Sequence, residues 1–126
     1  MLRRNPAVAI ALMLLLRTVP ASAQAVPEQW LTDYEKSGFR KTPRYAGTID
    51  YCRRLQDASP WIKVGSFGKS PQGRDLEFVI ASTDGAFDPA AAARTGKAIV
   101  LIQNGIHSGE IDGKDASLML LRDIVI

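Results

Sequence analysis

"AIVLIQNGIHSGEIDGKDASLMLLRDIVI" (residues 98–126) decides how the rest of the chain is read. Ala98 to Ile102 is a continuous apolar run without polar alternation, the pattern of an internal strand buried on both faces. Asn104-Gly105 breaks it. From about Asp112 the apolar spacing becomes helical and stays so to the end. Asp112 and Asp115 suit the first turn, at the positive end of the helix dipole, and Asp112 is expected to cap it. Leu118, Met119, Leu120 and Leu121 cover every side of this helix, and it closes without Gly, Pro or a polar cap. These features are expected of the front part of a longer protein.

Working upstream, Thr42-Pro43 opens a helix, with Thr able to cap it and Pro tolerated in the first turn. Tyr45, Ile49, Cys52 and Leu55 share one face, Gln56 falls in line with it, and Ser59-Pro60 ends it. Trp61 to Phe67 and Leu76 to Ala81 read as an antiparallel pair of strands around a turn at 68–73. Residues 83–96, rich in Gly, Asp and Ala, read as a loop. Residues 24–41, with Trp30, Tyr34 and Phe39 spaced through polar sequence, read as an N-terminal extension: a short helix and a loop docked on the body. The order helix, strand, strand, strand, helix predicts an α/β domain with a mixed sheet.

The first 23 residues are of another kind. Arg3 and Arg4 precede an apolar run from Ala7 to Leu16, and Ala21-Ser22-Ala23 supplies an A-x-A cleavage signature. This is the pattern of a secretory signal peptide, too short to span a bilayer, which needs roughly 20 apolar residues. Cleavage after Ala23 removes three arginines and no acids, leaving 13 basic and 13 acidic residues. The apparent positive charge is thus confined to the leader and gives no reason to expect a nucleic-acid partner. The mature chain is expected to be secreted or periplasmic, without a membrane partner. Cys52 is the only cysteine, so no intrachain disulfide can form. Its place on the helix face reads as packing.

His107 is the only histidine, and Glu110 lies three places after it. Four of the 126 residues are Glu, so a given His finds Glu at that spacing by chance about one time in thirty. The spacing alone therefore decides little. Its position adds more. In a tight turn, residues three apart can lie on one side, and this turn follows the expected buried strand, where α/β sheets place their ligands. Imidazole and carboxylate are zinc donors, and a catalytic zinc takes three protein ligands. Asp112 could reach the pair, but capping is its expected role. The patterns H-E-x-x-H and H-x-x-E-H both fail, because Ser108 follows His107 and Ile111 follows Glu110.

"GIHSGE" directly after "AIVLIQN" resembles the zinc-binding strand end of the zinc carboxypeptidases, the carboxypeptidase A-like metallopeptidases. "FGKSPQGRDLEFVIA" resembles that family's S-x-x-G-R segment, here Ser70, Gly73 and Arg74. The tail "EIDGKDASLMLLRD" is similar to bacterial members, and the resemblance runs from about Thr42 to the end. It implies one zinc ion with His107 and Glu110 as its first two ligands, and Arg74 in the substrate cleft, against the peptide backbone of the substrate. It implies a central mixed sheet flanked by helices, with 42–126 forming the first part of the catalytic domain. In the family the second zinc histidine and the glutamate general base come later, so no general base is placed here and the chain by itself is expected to be inactive. The activity implied is hydrolysis of peptide bonds near a free C-terminus. An aspartoacylase-like zinc deacylase of N-acyl amino acids also shows G-x-H-x-x-E after a strand; the S-x-x-G-R hairpin and the leader favour the peptidase. A secreted binding module on the same fold, without catalysis, is the reading from another class, and it predicts no bound zinc.

Overall fold

Pro60 cannot sit comfortably behind a helical residue, and it ends the first long helix cleanly. In the computed structural model, which describes residues 25–126, this helix (α2) spans Tyr45–Ala58, with Ser59 already extended at φ −144°. The expected leader, residues 1–23, lies outside the described residues. Ahead of α2 come one 3-10 turn at Glu28–Trp30 and a short helix α1 at Asp33–Lys36. Behind it come strands β1 (Ile62–Lys69) and β2 (Asp75–Ala81), helix α3 (Pro89–Thr95) and helix α4 (Asp112–Val125). The described residues are mixed α/β: four α-helices and a two-stranded antiparallel sheet. None of the described helices is long and apolar enough to cross a membrane.

The α2 helix is the hub, touched by both β1 and α4. Tyr51, Cys52 and Leu55 are its buried residues, and with Ile62 of β1 and Leu118 of α4 they form the core. Val64, Val79, Leu121 and Val125 pack half-buried around them. Tyr45, read onto this face, is instead 41% exposed, while Tyr51 turns inward and donates its hydroxyl to the Trp30 carbonyl at 2.7 Å. A hydroxyl that finds a partner lets a Tyr be buried where the apolar pattern alone would not place it. Gln56 points to the sheet side, where its side-chain oxygen accepts from the Val64 amide at 2.7 Å.

The hairpin pairs Ile62 with Ala81, Val64 with Val79 and Lys69 with Asp75. The register slips between Ser66 and Lys69, which lets the connection close as a tight turn. There the Ser70 amide donates to the Arg74 carbonyl, and Gly73, at φ +77°, takes a conformation that a Cβ would strain.

The segment 28–36 is anchored from two directions. Thr32 and Glu35 form a capping box, in which the Thr32 amide donates to Glu35 Oε2 at 2.8 Å and the Glu35 amide donates to Thr32 Oγ1 at 3.2 Å. Arg122 of α4 reaches across to the same carboxylate, its Nη1 lying 2.8 and 2.6 Å from Oε1 and Oε2. On the α2 side, the Arg54 guanidinium lies 5.4 Å from the Trp30 ring centre and 5.5 Å from that of Tyr51, and donates to the Gln29 carbonyl. Further along, Thr42 ties the next stretch to α4. It donates to Asp115 Oδ1 at 3.1 Å, while Lys114 Nζ donates to the Pro43 carbonyl at 2.7 Å.

Four further expectations are corrected. First, 98–102 is not a buried strand: it forms no ladder, and Ile99, Val100 and Leu101 are 77%, 78% and 87% exposed. A strand is completed by hydrogen bonds from a neighbour, and the sheet among the described residues consists of β1 and β2 alone. Second, the loop read over 83–96 contains α3. Asp88 caps it by accepting from the Ala91 amide at 2.8 Å, Pro89 sits in its first turn, and Gly96 at φ +65° closes it. Third, α2 starts at Tyr45 rather than Thr42, and its cap position is Arg44, without a side-chain bond. Thr42 spends its hydroxyl on Asp115 instead. Fourth, Asp112 is not the cap of α4: Ile111 holds that position, also without a side-chain bond.

Candidate metal centre

Two glycines shape the loop that carries His107. Gly105 at φ +63° and Gly109 at φ +100° turn the backbone where a side chain would be strained. Between them the chain closes on itself, with the Glu110 amide donating to the His107 carbonyl at 3.3 Å. The Ile111 amide donates to the Gly109 carbonyl at 3.0 Å. The turn brings the two side chains to one side. His107 Nδ1 lies 2.7 Å from Glu110 Oε1, and the His107 amide donates to Glu110 Oε2 at 3.4 Å. Both side chains are open to solvent, 77% for His107 and 59% for Glu110.

A single proton between Nδ1 and Oε1 holds this contact, since neither a neutral imidazole nitrogen nor a carboxylate oxygen can bond the other without one. A cation can take that proton's place, and one nitrogen with one oxygen suits zinc. Two donors at zinc-ligand distances around a tetrahedral ion stand about 3.3 Å apart, so a small opening of the contact would be enough. The pair thus fits two ligand positions. A third is not supplied: among the described residues no group of three or more His, Cys, Asp or Glu side chains could hold a metal ion. Asp112 is not drawn into such a group, and His107 is the only histidine in the sequence.

The loop is fastened to α4 at its base. Asn104 Nδ2 donates to Ser117 Oγ at 2.8 Å, and the Asn104 amide lies over Gly113, where a Cβ would come within 2.6 Å of Asn104 Oδ1. Nothing in the sequence pattern announces this contact, because Asn104-Gly105 reads as a chain break and Ser117 as an ordinary helical residue.

Arg74 stands at the hairpin turn, exposed to solvent. Its backbone amide donates to Ser70 Oγ at 3.1 Å, so the Ser and Gly of the S-x-x-G-R segment build the turn that presents the arginine. Its guanidinium carbon lies 6.0 Å from the ring centre of Tyr45, at the outer limit of a cation–π contact. Tyr45 in turn donates its hydroxyl to the Asp75 carbonyl at 2.9 Å. Among the described residues, no hydrogen bond or ion pair joins Arg74 to His107 or Glu110. An open cleft of about 380 Å³ beside the hairpin, lined by Arg53, Gln56, Asp57, Ser66, Asp75 and Glu77, contains none of the three residues.

Cys52 sits in the apolar core and belongs to no group of three or more metal-donor side chains among the described residues. It is buried, and its thiol is pushed up to about 11, chiefly by burial and further by the Glu77 carboxylate. Little reactive thiolate is therefore present near neutrality.

The loop geometry, the hairpin and α4 all fall within one stretch of recognised sequence. A family model described as zinc carboxypeptidase matches residues 48–126, more than half of the chain. No curated protein and no solved structure matches. With its helix–hairpin–helix core and its His107–Glu110 loop inside that match, the chain belongs to the zinc carboxypeptidase family.

Proposed function

We propose a secreted zinc metallocarboxypeptidase function, hydrolysis of peptide bonds near a free C-terminus, to which these 126 residues contribute His107 and Glu110 as two ligands of one zinc ion and no general base. The observation that carries this reading is the convergence of His107 Nδ1 and Glu110 Oε1 at 2.7 Å on one side of a glycine-bounded loop. Within the matched family, that pair has a chemical purpose that a chance surface contact lacks. When bound, zinc polarises a carbonyl and makes water acidic enough to act as a nucleophile near neutrality. The chain's own contribution is to hold an imidazole and a carboxylate together on one loop. Arg74, at the hairpin tip, is proposed to donate to the peptide backbone of the substrate. Glu110 cannot serve as ligand and as proton acceptor at once, so a separate group takes the proton in hydrolysis.

Equilibrium dialysis against zinc tests the ligand assignment. Uptake is expected in the wild-type chain and is expected to fall about tenfold or more in both Glu110→Ala and His107→Ala. Arg74→Ala should leave uptake unchanged while weakening peptide binding. Equal zinc in wild type and Glu110→Ala would remove Glu110 from the site. Zinc absent from all of them would favour the non-catalytic binding module.

The secretory part of the proposal rests on Arg3, Arg4, the apolar run and Ala21-Ser22-Ala23. N-terminal sequencing of exported protein is expected to begin at Gln24. A first residue of Met1 in the exported material would refute a cleaved leader.

A further inference from the structure

We propose that Asn104, Gly113 and Ser117 form a clasp that positions the His107–Glu110 pair, Asn104 and Ser117 acting as positioning residues and Gly113 as the seat that admits them. This role rests on the zinc reading of the pair. The loop leaves Asn104 and re-enters regular structure at Asp112, so one side-chain bond closes it at its base: Asn104 Nδ2 to Ser117 Oγ, 2.8 Å. Ser117 lies in the second turn of α4, beyond the loop's far end, so the bond spans the whole segment that carries the pair. Inside the loop, the backbone closures are two contacts of 3.0 and 3.3 Å on an exposed turn, each within four residues of chain. Without the clasp, the entry of the loop is free to swing relative to its exit, and the two donors no longer share a fixed separation. Ordering them beforehand removes a cost that metal binding would otherwise bear.

Gly113 makes the clasp testable without harming the fold. An added Cβ would stand 2.6 Å from Asn104 Oδ1, and that atom is the far end of a side chain that can swing away. Gly113→Ala therefore displaces the Asn104 amide. In a helix the same substitution ordinarily favours folding, because Ala loses less backbone freedom than Gly. Loss of function without loss of stability is the expected signature, and a merely structural role would not produce it.

The experiment uses the full chain, titrated with Zn²⁺ and followed by NMR through the imidazole signals of His107, which are unique because the sequence has one histidine. Wild type should show saturable shifts that Glu110→Ala abolishes. Gly113→Ala and Asn104→Ala should each weaken zinc binding about tenfold, the scale seen when a group supporting a ligand is lost. Thermal melting of Gly113→Ala should be at or above wild type. The double variant Asn104→Ala/Gly113→Ala should bind like Asn104→Ala alone, because no amide remains to be displaced. Wild-type affinity in both single variants, with Glu110→Ala still inactive in binding, overturns the clasp and leaves the ligand pair standing. Zinc that leaves the wild-type imidazole signals unmoved overturns the ligand pair and the clasp together.

Discussion

Replacing Arg122 with leucine is expected to lower folding stability by about 3 kcal/mol, measured by urea denaturation of the variant beside wild type. The guanidinium is almost fully buried and its Nη1 engages both oxygens of Glu35, while Nε holds Asp123 Oδ1 at 2.8 Å. Removing it strands the Glu35 carboxylate, whose side chain is 13% exposed, with only the Thr32 amide and hydroxyl for company. Breaking one half of a buried pair costs about 3 to 5 kcal/mol, and the remaining Thr32 bonds place this case at the lower end. Burial pushes the Glu35 carboxyl up, but Arg122 and Thr32 together outweigh it and hold the group below its ordinary value of 4.5. A depressed carboxyl contributes its stability above the unfolded-state value and loses it as the pH falls through the folded one. The gap between wild type and Arg122→Leu should therefore be full at neutral pH and narrow below about pH 4. A gap that stays constant down to pH 2 would show that Arg122 acts by packing rather than through Glu35. The companion variant Glu35→Gln in the Arg122→Leu background should recover part of the loss, because a neutral amide is cheaper to strand.

Leu55→Ala is expected to cost about as much, roughly 3 kcal/mol within the usual 2 to 5 for a buried leucine. Leu55 is 0% exposed and sits where α2, β1 and α4 meet, in a core of five buried apolar residues among those described. Its neighbours come from three elements joined by loops, and closing around the gap would require α4 to shift along α2. Such a shift would pull Asp115 off Thr42 and Arg122 off Glu35, so the site cannot collapse cheaply. Folded domains hold only about 5 to 15 kcal/mol in reserve, so either substitution removes a large share of it. A loss below 1 kcal/mol in the urea midpoint analysis would mean that the three elements are less tightly coupled than their packing indicates.

The elements that the amino-acid pattern revealed are those whose signals are local. The α2 helix, the hairpin and α4 follow from apolar spacing with Pro60, Gly73 and the apolar helix tail as punctuation. The α3 helix was equally local: Asp88, Pro89 and Gly96 are a cap, a first-turn proline and a left-handed close, but Ala and Gly composition masked them as a loop. What stayed hidden depends on distant partners. Arg122 meets Glu35 across 87 positions, and a lone arginine in an apolar helix looks like its solvent side. Thr42 meets Asp115 across 73. The run at 98–102 erred in the opposite sense, because apolar composition reports what a strand could bury and not whether a neighbouring strand is there. At the candidate site, the spacing of His107 and Glu110 was visible and Gly105 and Gly109 hinted at the turn. The contact of Asn104 with Ser117 was not visible, since it follows from the angle at which α4 leaves the loop.

The exposed run from Ala98 to Asn104 has a colloidal consequence. It carries no charge and no proline, and four of its seven residues are large aliphatics, three of them β-branched, which is the composition that stacks into intermolecular sheets. Its backbone donors and acceptors lie outside any ladder and are open to a second chain. The same seven residues that precede the His107–Glu110 turn are therefore where self-association would nucleate, and concentration sets how often such a segment meets its like before anything else covers it.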